Sequence, residues 1–92
     1  MPSPAVPPPG SSGSRHRVEL ITRAGCHLCA DAEQILRRMS GELGFGYAEL
    51  DVDADPQRRA EYSDRVPVIM LDGREHGYWH VEEARLRTAL AK

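Results

Sequence analysis

Hydrophobic and polar residues recur with two different periods along the chain, and each period predicts a different kind of element. Residues 18–22 are rich in β-branched and apolar side chains, which predicts a first strand. From Leu28 to Met39 the apolar residues follow helical spacing, and Gly41 comes just beyond them, which predicts a helix that ends near Gly41. We therefore expect the first half of the chain to begin with a strand that runs into a helix.

The next segment predicts a second strand and a short second helix. Residues 45–52 alternate between two faces, and Phe45 begins the outer one. The more apolar face, which we expect to point inward, consists of Ala48, Leu50 and Val52. Asp55 then precedes Pro56, and this pair predicts a helix start, because the carboxylate caps free amides and proline in the first turn needs no donor. We expect this helix to end near residue 62 or 63.

The last third predicts two antiparallel strands and a closing helix. Residues 66–71 form a continuous apolar run, Asp72 and Gly73 are a two-residue hairpin signal, and residues 74–78 supply the returning strand. Residues 81–91 combine charged and apolar side chains in a helical pattern. The order is β-α-β-α-β-β-α. Because a crossover needs parallel strands and a hairpin needs antiparallel ones, we expect an α/β fold with a four-stranded mixed sheet and three helices.

Residues 1–15 differ in composition from the rest of the chain. Five of the seven prolines lie in the first nine residues, and serine, glycine and alanine fill most of the other positions. Such a segment cannot bury enough apolar surface to offset the entropy lost on ordering. We therefore predict a disordered Pro/Ser/Gly-rich tail over residues 1–15 and one folded domain over residues 16–92.

The charge balance and the hydropathy exclude several classes of partner. Twelve basic residues against fourteen acidic ones give a formal charge of −2, which supplies no field to attract nucleic acid or an anionic membrane. The chain does not begin with a basic segment and an apolar run, and no stretch approaches the ~20 apolar residues that span a bilayer. We predict a soluble, cytoplasmic monomer that binds neither nucleic acid nor membranes.

The two cysteines, Cys26 and Cys29, are too close together to be a useful structural staple. A disulfide between them would close so short a loop that the chain-entropy gain is about 2 kcal/mol, against ~4.7 kcal/mol for a hundred-residue loop. In a cytosolic chain, a pair with this spacing is typical of a redox-active or a metal-binding site.

The predicted junction between the first strand and the first helix gives the two thiols different roles. Cys26 would lie at the helix N-terminus, where free backbone amides and the helix dipole favour an anion such as a thiolate. Thiols in such positions have pKa values of roughly 3.5 to 7.5. Arg23 and a protonated His27 could strengthen this effect. Cys29 lies one turn further into the helix, so we predict Cys26 as the nucleophile and Cys29 as the resolving thiol.

Over residues 17–92 the sequence resembles glutaredoxins and thioredoxins. The resemblance rests on the segment 26–29, Cys-His-Leu-Cys, after a first strand, and on Val66 and Pro67 at the opening of the third strand. It is nearest to short glutaredoxin-like proteins with a leucine before the second cysteine and an Asp-Val-Asp segment, here residues 51–53. The resemblance implies a thioredoxin-like fold in which Pro67 is cis and faces the cysteines, and in which the backbone of Val66 pairs with the substrate.

The chain departs from glutaredoxins at two places. Glutaredoxins typically carry Pro-Tyr between their cysteines and a paired-glycine turn that helps to hold glutathione, whereas residues 27–28 are His-Leu and residues 76–80 contain one glycine. The resemblance therefore does not name glutathione as the partner. Tyr78 and Trp79 lie in this stretch and either line a substrate groove or pack in the core. Core packing is favoured, because the chain has only five aromatic residues with which to fill a core.

The residues also permit a metal-binding interpretation. Cys26 and Cys29 could join His76 and His80, which are spaced as H-x3-H, in a zinc or iron–sulfur site, although compact zinc modules place such pairs closer together in sequence. The aspartates of segment 51–55 resemble a hard-cation cluster, but strand and helix-cap roles explain them, and no glycine-containing calcium loop surrounds them. We therefore expect no bound metal.

The favoured hypothesis is a thiol–disulfide oxidoreductase. Its partners would be a protein disulfide or a low-molecular-weight thiol, and a reductase or an external thiol reducing system would reset it without a bound cofactor. The residues assigned to substrate binding are Arg23, Val66, Pro67 and Trp79. His27 would tune the thiolate, although His27 and Arg23 fit solvated surface positions equally well. A third hypothesis is a noncatalytic adaptor on a thioredoxin fold that uses the proline-rich tail as its contact.

Overall fold

The computed structural model describes residues 16–92, so the tail predicted over residues 1–15 lies outside the described residues. The elements follow the predicted order, with one 3₁₀ turn added. They are β1 (Val18–Thr22), α1 (His27–Leu43), β2 (Tyr47–Asp51), the 3₁₀ turn (Val52–Ala54), α2 (Pro56–Tyr62), β3 (Val68–Leu71), β4 (Arg74–Tyr78) and α3 (Glu83–Leu90). The sheet order is β2-β1-β3-β4, with β1 parallel to β2, and with β3 antiparallel to both β1 and β4. The predicted mixed sheet with three helices is confirmed.

Helices cover the sheet on both faces. On the face of α1 and α3, the buried side chains are Val18, Leu20, Ala32, Leu36, Met39, Phe45, Ile69 and Leu86. On the face of α2, the smaller buried cluster is Ile21, Val52, Val68 and Met70. Because successive side chains of a strand point to opposite faces, a strand that is buried on both faces has a continuous apolar sequence. This arrangement explains the continuous apolar run of β3 and the buried apolar residues on both faces of β1.

The first helix, α1, is longer than its sequence pattern predicted. It runs through Gly41 to Leu43, and the capping residue Gly44 has a left-handed φ of 77° and donates its N–H to the carbonyl of Ser40 at 2.9 Å. The predicted end near Gly41 is wrong, because a helix tolerates an interior glycine at about 1 kcal/mol relative to alanine and stops where the chain turns left-handed. Although α1 has 17 residues, no helix within residues 16–92 is both long and apolar enough to cross a membrane.

The second strand, β2, lies at one edge of the sheet and is shorter than predicted. Phe45, predicted on the outer face, precedes β2 and is buried among the side chains of α1, with 1% of its surface exposed. Ala48, predicted to face inward, is exposed, whereas Leu50 and Val52 do pack on the α2 face. The prediction of one inward face is wrong, because helices cover both sides of the sheet.

Two local sequence signals form the structures that they predict. The side chain of Asp55 caps α2 by accepting the N–H of Gln57 at 2.8 Å, and Pro56 occupies the first turn. Asp72 and Gly73 join β3 to β4 with φ values of 55° and 82°, the left-handed pair that a tight two-residue hairpin needs. Both signals depend on backbone chemistry within a few residues and not on packing.

The hairpin turn also contacts both ends of the described domain. Nδ1 of His16 lies 2.6 Å from Oδ2 of Asp72, and Nε2 of His16 lies 3.1 Å from the carbonyl oxygen of Lys92. The N–H of Arg17 donates to Oδ1 of Asp72 at 2.8 Å. These contacts bring together the start of β1, the hairpin and the C-terminus at the end of the sheet opposite Cys26.

The contact between His16 and Asp72 predicts a stability contribution that depends on pH. Hydrogen bonding to Asp72 raises the pKa of His16 above 6.5, whereas the N–H of Arg17 and then His16 hold the pKa of Asp72 below 3.8. Because the pKa of His16 is higher in the folded than in the unfolded protein, the contact stabilises the fold at pH values below the unfolded pKa. This stabilisation is lost as the pH rises through the folded pKa. The lowered carboxyl pKa loses its effect as the pH falls through the folded value.

We therefore expect the difference in melting temperature between the wild type and His16→Ala to be largest between about pH 4 and 6.5 and to shrink on either side. The difference should be a few degrees at most, because the Asp72 side chain is 47% exposed and solvent weakens the ion pair. Thermal melts followed by circular dichroism measure it. An equal difference at acidic, neutral and alkaline pH would contradict this role of the pair.

Candidate functional site

Cys26 lies between the end of β1 and the start of α1, and Cys29 lies in the first turn of α1, as the sequence predicted. Gly25 turns the chain with a φ of 77°, and Cys26, in extended conformation, is the N-cap of α1. Its Sγ accepts the backbone N–H of Cys29 at 3.2 Å. Sulfur therefore occupies the place that a serine or aspartate oxygen takes at an ordinary helix N-cap. A thiolate formed there would keep this hydrogen bond and would face the positive end of the helix dipole.

The second thiol has a different environment. Cys29 is buried, with 4% of its surface exposed, whereas Cys26 is partly exposed, and both are free thiols. Burial, followed by the hydrogen bond with Cys26, raises the pKa of the Cys29 thiol from 9.0 to about 12, and a backbone hydrogen bond from Arg23 opposes this rise. Cys29 therefore stays protonated in the dithiol state, and Cys26 is the accessible sulfur. The two sulfurs therefore differ in accessibility, and their division into a nucleophile and a resolving thiol stays a prediction.

The peptide bond between Val66 and Pro67 is cis, as the resemblance implied. Pro67 is buried, and Val66 is partly buried against the cluster on the α2 face. Val68 pairs with Ile21 in the antiparallel ladder between β3 and β1, so the residues that precede β3 lie at the same end of the sheet as those that follow β1. Pro67 and Cys26 therefore share one end of the sheet.

Tyr78 and Trp79 extend into solvent at the end of β4. They are 47% and 48% exposed, and their rings contact each other edge to face, with centroids 5.0 Å apart. The predicted core packing of this pair is wrong, because β4 is an edge strand and aliphatic side chains fill most of the core. Trp79 has a φ of 70°, which is strained for a bulky residue, and its N–H donates to the carbonyl of Pro67 at 2.8 Å. A half-exposed tryptophan is thus fixed beside the cis-proline.

Arg23 follows β1, but its guanidinium is already bonded. Two of its nitrogens donate to the two carboxylate oxygens of Asp53 at 3.0 and 3.1 Å, and the third lies 3.4 Å from the carbonyl oxygen of Ser63. This hydrogen bonding lowers the pKa of Asp53. The bidentate pair connects the end of β1 to the 3₁₀ turn, so Arg23 has less capacity to bind a substrate carboxylate than its position in the sequence suggested.

The structure does not bring His76 and His80 into a metal site with the cysteines. His27 is exposed in the first turn of α1, and His80 is exposed after β4. His76 lies on β4, where burial and then Arg85 lower its pKa, and its Nε2 is buried with no hydrogen-bond partner in the described structure. Among residues 16–92, no three His, Cys, Asp or Glu side chains are grouped so that they could hold a metal ion. The described domain therefore does not assemble the four-ligand site considered from the sequence.

The aspartates of segment 51–55 have the structural roles expected of them. Asp51 caps the 3₁₀ turn by accepting the N–H of Asp53 at 2.9 Å, and Asp55 caps α2. Asp53 forms the ion pair with Arg23. Hydrogen bonds and one ion pair thus account for all three carboxylates.

A cleft of about 510 Å³ lies beside the cysteine pair, and both cysteines line it. Its lining also includes Glu33, Glu49 and Asp51, none of which was predicted from the sequence to belong to the site. Burial, and then the neighbouring Glu33 carboxyl, raise the pKa of Glu49, because like charges oppose ionisation. The only local signal was that Glu33 lies one helical turn after Cys29 and on the same face of α1. Glu49 comes from β2, and only the tertiary structure brings it to the cleft.

The chain is similar to known proteins in sequence along nearly all of the described domain. The family model described as "Glutaredoxin-like domain (DUF836)" matches residues 17–91. An uncharacterized protein of Mycobacterium tuberculosis and one of Mycobacterium bovis are each 50% identical to it over 84 residues, which is 86% of this chain and 87% of theirs. The similarity therefore covers a whole domain and not one short motif.

Solved structures are similar to the chain in fold. A protein of Nitrosomonas europaea, solved in solution by NMR, gives a TM-score of 0.73 at 22% identity and covers 98% of this chain and 99% of its own. Fasciola hepatica thioredoxin gives 0.62 at 22% identity, covering 85% and 80%. Francisella tularensis glutaredoxin 1, in complex with cacodylate, gives 0.59 at 23% identity, covering 84% and 99%. The fold is thus thioredoxin-like, and these neighbours are too distant in sequence to indicate more than the fold.

Proposed function

The chain belongs to the glutaredoxin-like domain family, and on that premise we propose that it is a thiol–disulfide oxidoreductase in which Cys26 and Cys29 alternate between dithiol and disulfide. The observation that carries this proposal is the difference between the two sulfurs at the start of α1. Cys26 is partly exposed and its Sγ accepts the N–H of Cys29 at 3.2 Å, whereas Cys29 is buried. This is the arrangement that an attacking and a resolving thiol require.

The reaction proceeds in two exchanges. The Cys26 thiolate attacks one sulfur of a substrate disulfide, a mixed disulfide forms, and the other half leaves as a thiolate that takes up a proton. Cys29 then loses its proton and attacks Sγ of Cys26, which forms the Cys26–Cys29 disulfide and releases the second half as a thiol. The substrate gains two electrons and two protons, and the protein loses them. An external thiol or a reductase returns the protein to the dithiol state, with no bound cofactor in the cycle.

Substrate binding is proposed at the end of the sheet that Cys26 and Pro67 share. The backbone of Val66 would pair with the substrate segment that carries the sulfur, and the exposed indole of Trp79 would pack against that segment. The hydrogen bond from Trp79 to Pro67 supports this arrangement, because it holds the indole beside the cis-proline. His27, exposed next to Cys26, would tune its reactivity, and Arg23 would line the approach.

We further propose that the protein is a monomer and that it acts in the cytoplasm. A reducing compartment keeps a closely spaced cysteine pair in the dithiol form from which the cycle starts. The substrate would be a protein disulfide or a low-molecular-weight disulfide, and the reductant a cellular thiol system.

The proposal predicts that the two cysteines of the reduced protein differ in their rates of alkylation. At about pH 7.5, iodoacetamide should modify Cys26 at least about 100-fold faster than Cys29, because Cys29 is buried and its pKa is raised to about 12. Peptide mass spectrometry at timed quenches measures both rates. In guanidinium chloride the two rates should converge, which provides the control. Faster modification of Cys29 in the folded protein would contradict the assignment of roles.

A further inference from the structure

The cleft beside Cys26 carries more negative than positive groups. Three carboxylates, on Glu33, Glu49 and Asp51, line it, together with one guanidinium, on Arg23. Both cysteines line the same space, so a substrate group next to the reacting sulfur would lie near these charges. The charge of the cleft therefore acts on the part of the substrate that is closest to the chemistry.

The positive groups near the cleft already have partners. Arg23 bonds the carboxylate of the 3₁₀ turn through two contacts of 3.0 and 3.1 Å. Arg37 lies 3.2 Å from Glu33 but does not line the cleft. Among the ion pairs within residues 16–92, none includes the carboxylate of Glu49 or Asp51. Arg37 acts on the Glu49 carboxyl and Arg23 on Asp51 through their charge alone, so neither carboxylate is held in an ion pair within the described domain.

Glu33 and Glu49 also oppose each other. Their carboxyls come from α1 and β2, both line the cleft, and the pKa of Glu49 is raised by burial and then by the negative charge of Glu33. Two carboxyls held together in this way are stabilised when a cation lies beside them. Arg37 beside Glu33 offsets part of this repulsion, a positively charged substrate group would offset more of it, and a carboxylate would add to it.

The backbone donors beside the cis-proline are also occupied. The N–H of Trp79 donates to the carbonyl of Pro67 at 2.8 Å, and the N–H of His80 donates to the carbonyl of Tyr78 at 2.8 Å. An anionic disulfide would therefore meet carboxylates in the cleft and bonded amides at the turn. The amides of Trp79 and His80 are therefore not free to bind a substrate carboxylate.

From these charges and contacts we infer that the site selects disulfides with a positive charge within a few bonds of the sulfur and disfavours anionic ones. The inference rests on the proposed oxidoreductase function. Disulfides of aminothiols carry such a charge, and so do polypeptides with lysine or arginine beside the cysteine. In both, the ammonium or guanidinium group would lie near Glu49 and Asp51 while Cys26 attacks the sulfur.

The test uses three small disulfides that differ in charge: cystamine, which is cationic, hydroxyethyl disulfide, which is neutral, and dithiodipropionate, which is anionic. Second-order rate constants are measured with the reduced full-length protein. Each ratio is compared between the wild type and Glu49→Gln, so that the intrinsic reactivity of each disulfide cancels. We expect the ratio of cystamine to dithiodipropionate to fall about 3- to 10-fold in Glu49→Gln, and further when Asp51→Asn is added, because each change removes one nearby charge.

Salt and a matched variant provide the controls. Raising the ionic strength from about 20 to 500 mM should lower the wild-type ratio, because salt screens partly exposed charges. Glu61→Gln removes a carboxylate that is exposed on α2 and does not line the cleft, and it should keep the wild-type ratio. A ratio that is the same in the wild type, in Glu49→Gln and in the double variant overturns the inference.

Two further comparisons identify the source of the positive charge and separate this inference from the proposed function. A short peptide disulfide with lysine beside the cysteine is compared with its glutamate counterpart. If the variants lower the rate ratio for the small disulfides and also that for the peptides, the charge selection extends to polypeptides. If they lower only the ratio for the small disulfides, the selection is for aminothiols. If hydroxyethyl disulfide reacts through Cys26 but the rate ratios are the same in the wild type and the variants, only the charge selection fails. If no disulfide reacts, both proposals fail.

Discussion

Exchange of Cys29 for alanine should leave a protein that reacts once and then stops as a mixed disulfide on Cys26. The attacking sulfur is still present, but the buried thiol that would release the second half of the substrate is gone. Cys26→Ser should instead lose disulfide reduction by about three orders of magnitude or more, because a hydroxyl does not supply the thiolate that attacks. Intact-mass spectrometry after incubation with hydroxyethyl disulfide should show one adduct on Cys29→Ala and none on Cys26→Ser.

Circular dichroism must show that both variants are folded before the adducts are compared. The reverse pattern, with a stable adduct on Cys26→Ser and none on Cys29→Ala, would exchange the roles of the two sulfurs. Wild-type turnover in both variants would contradict a dithiol mechanism altogether.

Leu36→Ala should be the most destabilising of the changes considered. Leu36 is fully buried on the sheet-facing side of α1, in the cluster that joins β1, β3 and α3. Truncation of such a leucine removes apolar contacts and leaves a cavity, which costs about 2–5 kcal/mol. A domain of this size has a total free energy of unfolding of only about 4–12 kcal/mol. The midpoint of urea unfolding should therefore fall steeply, and the variant could be partly unfolded at 37 °C.

Leu43 provides a matched control on the same helix. It is 41% exposed, so Leu43→Ala should change the free energy of unfolding by about 0.5 kcal/mol or less. Both variants delete the same atoms, and the comparison therefore isolates burial from helix propensity. Similar unfolding midpoints for the two variants would contradict the position of Leu36 in the core.

The elements with local signals could be predicted from the sequence, and those that depend on tertiary contacts could not. The aspartate and proline before α2 and the Asp72–Gly73 turn depend on backbone geometry within a few residues, and both formed as predicted. The end of α1 depends on the left-handed turn at Gly44, and the burial of Phe45 depends on the helices that pack on that face of the sheet. A sequence pattern alone does not show that a sheet has helices on both faces.

Some features of the candidate site could likewise be predicted from the sequence, and others could not. The position of the cysteine pair followed from a strand pattern that ends just before a helical one, and the cis peptide at Pro67 came from the resemblance to glutaredoxins and thioredoxins. The pairing of Arg23 with Asp53 and the approach of Glu33 to Glu49 join elements that are distant in sequence. Each of these contacts changes the charge of the cleft, so the electrostatic character of the site could not be predicted before the fold was known.

The contacts among His16, Asp72 and Lys92 have a practical consequence for attaching the protein to an electrode or a resin. They place Lys92 at the end of the sheet opposite the thiols. A protein immobilised through Lys92 would keep the length of β1, about 16 Å for five residues, between the support and the thiol end of the sheet. Cys26 would then face the solution, and dissolved disulfides could reach it without passing the surface.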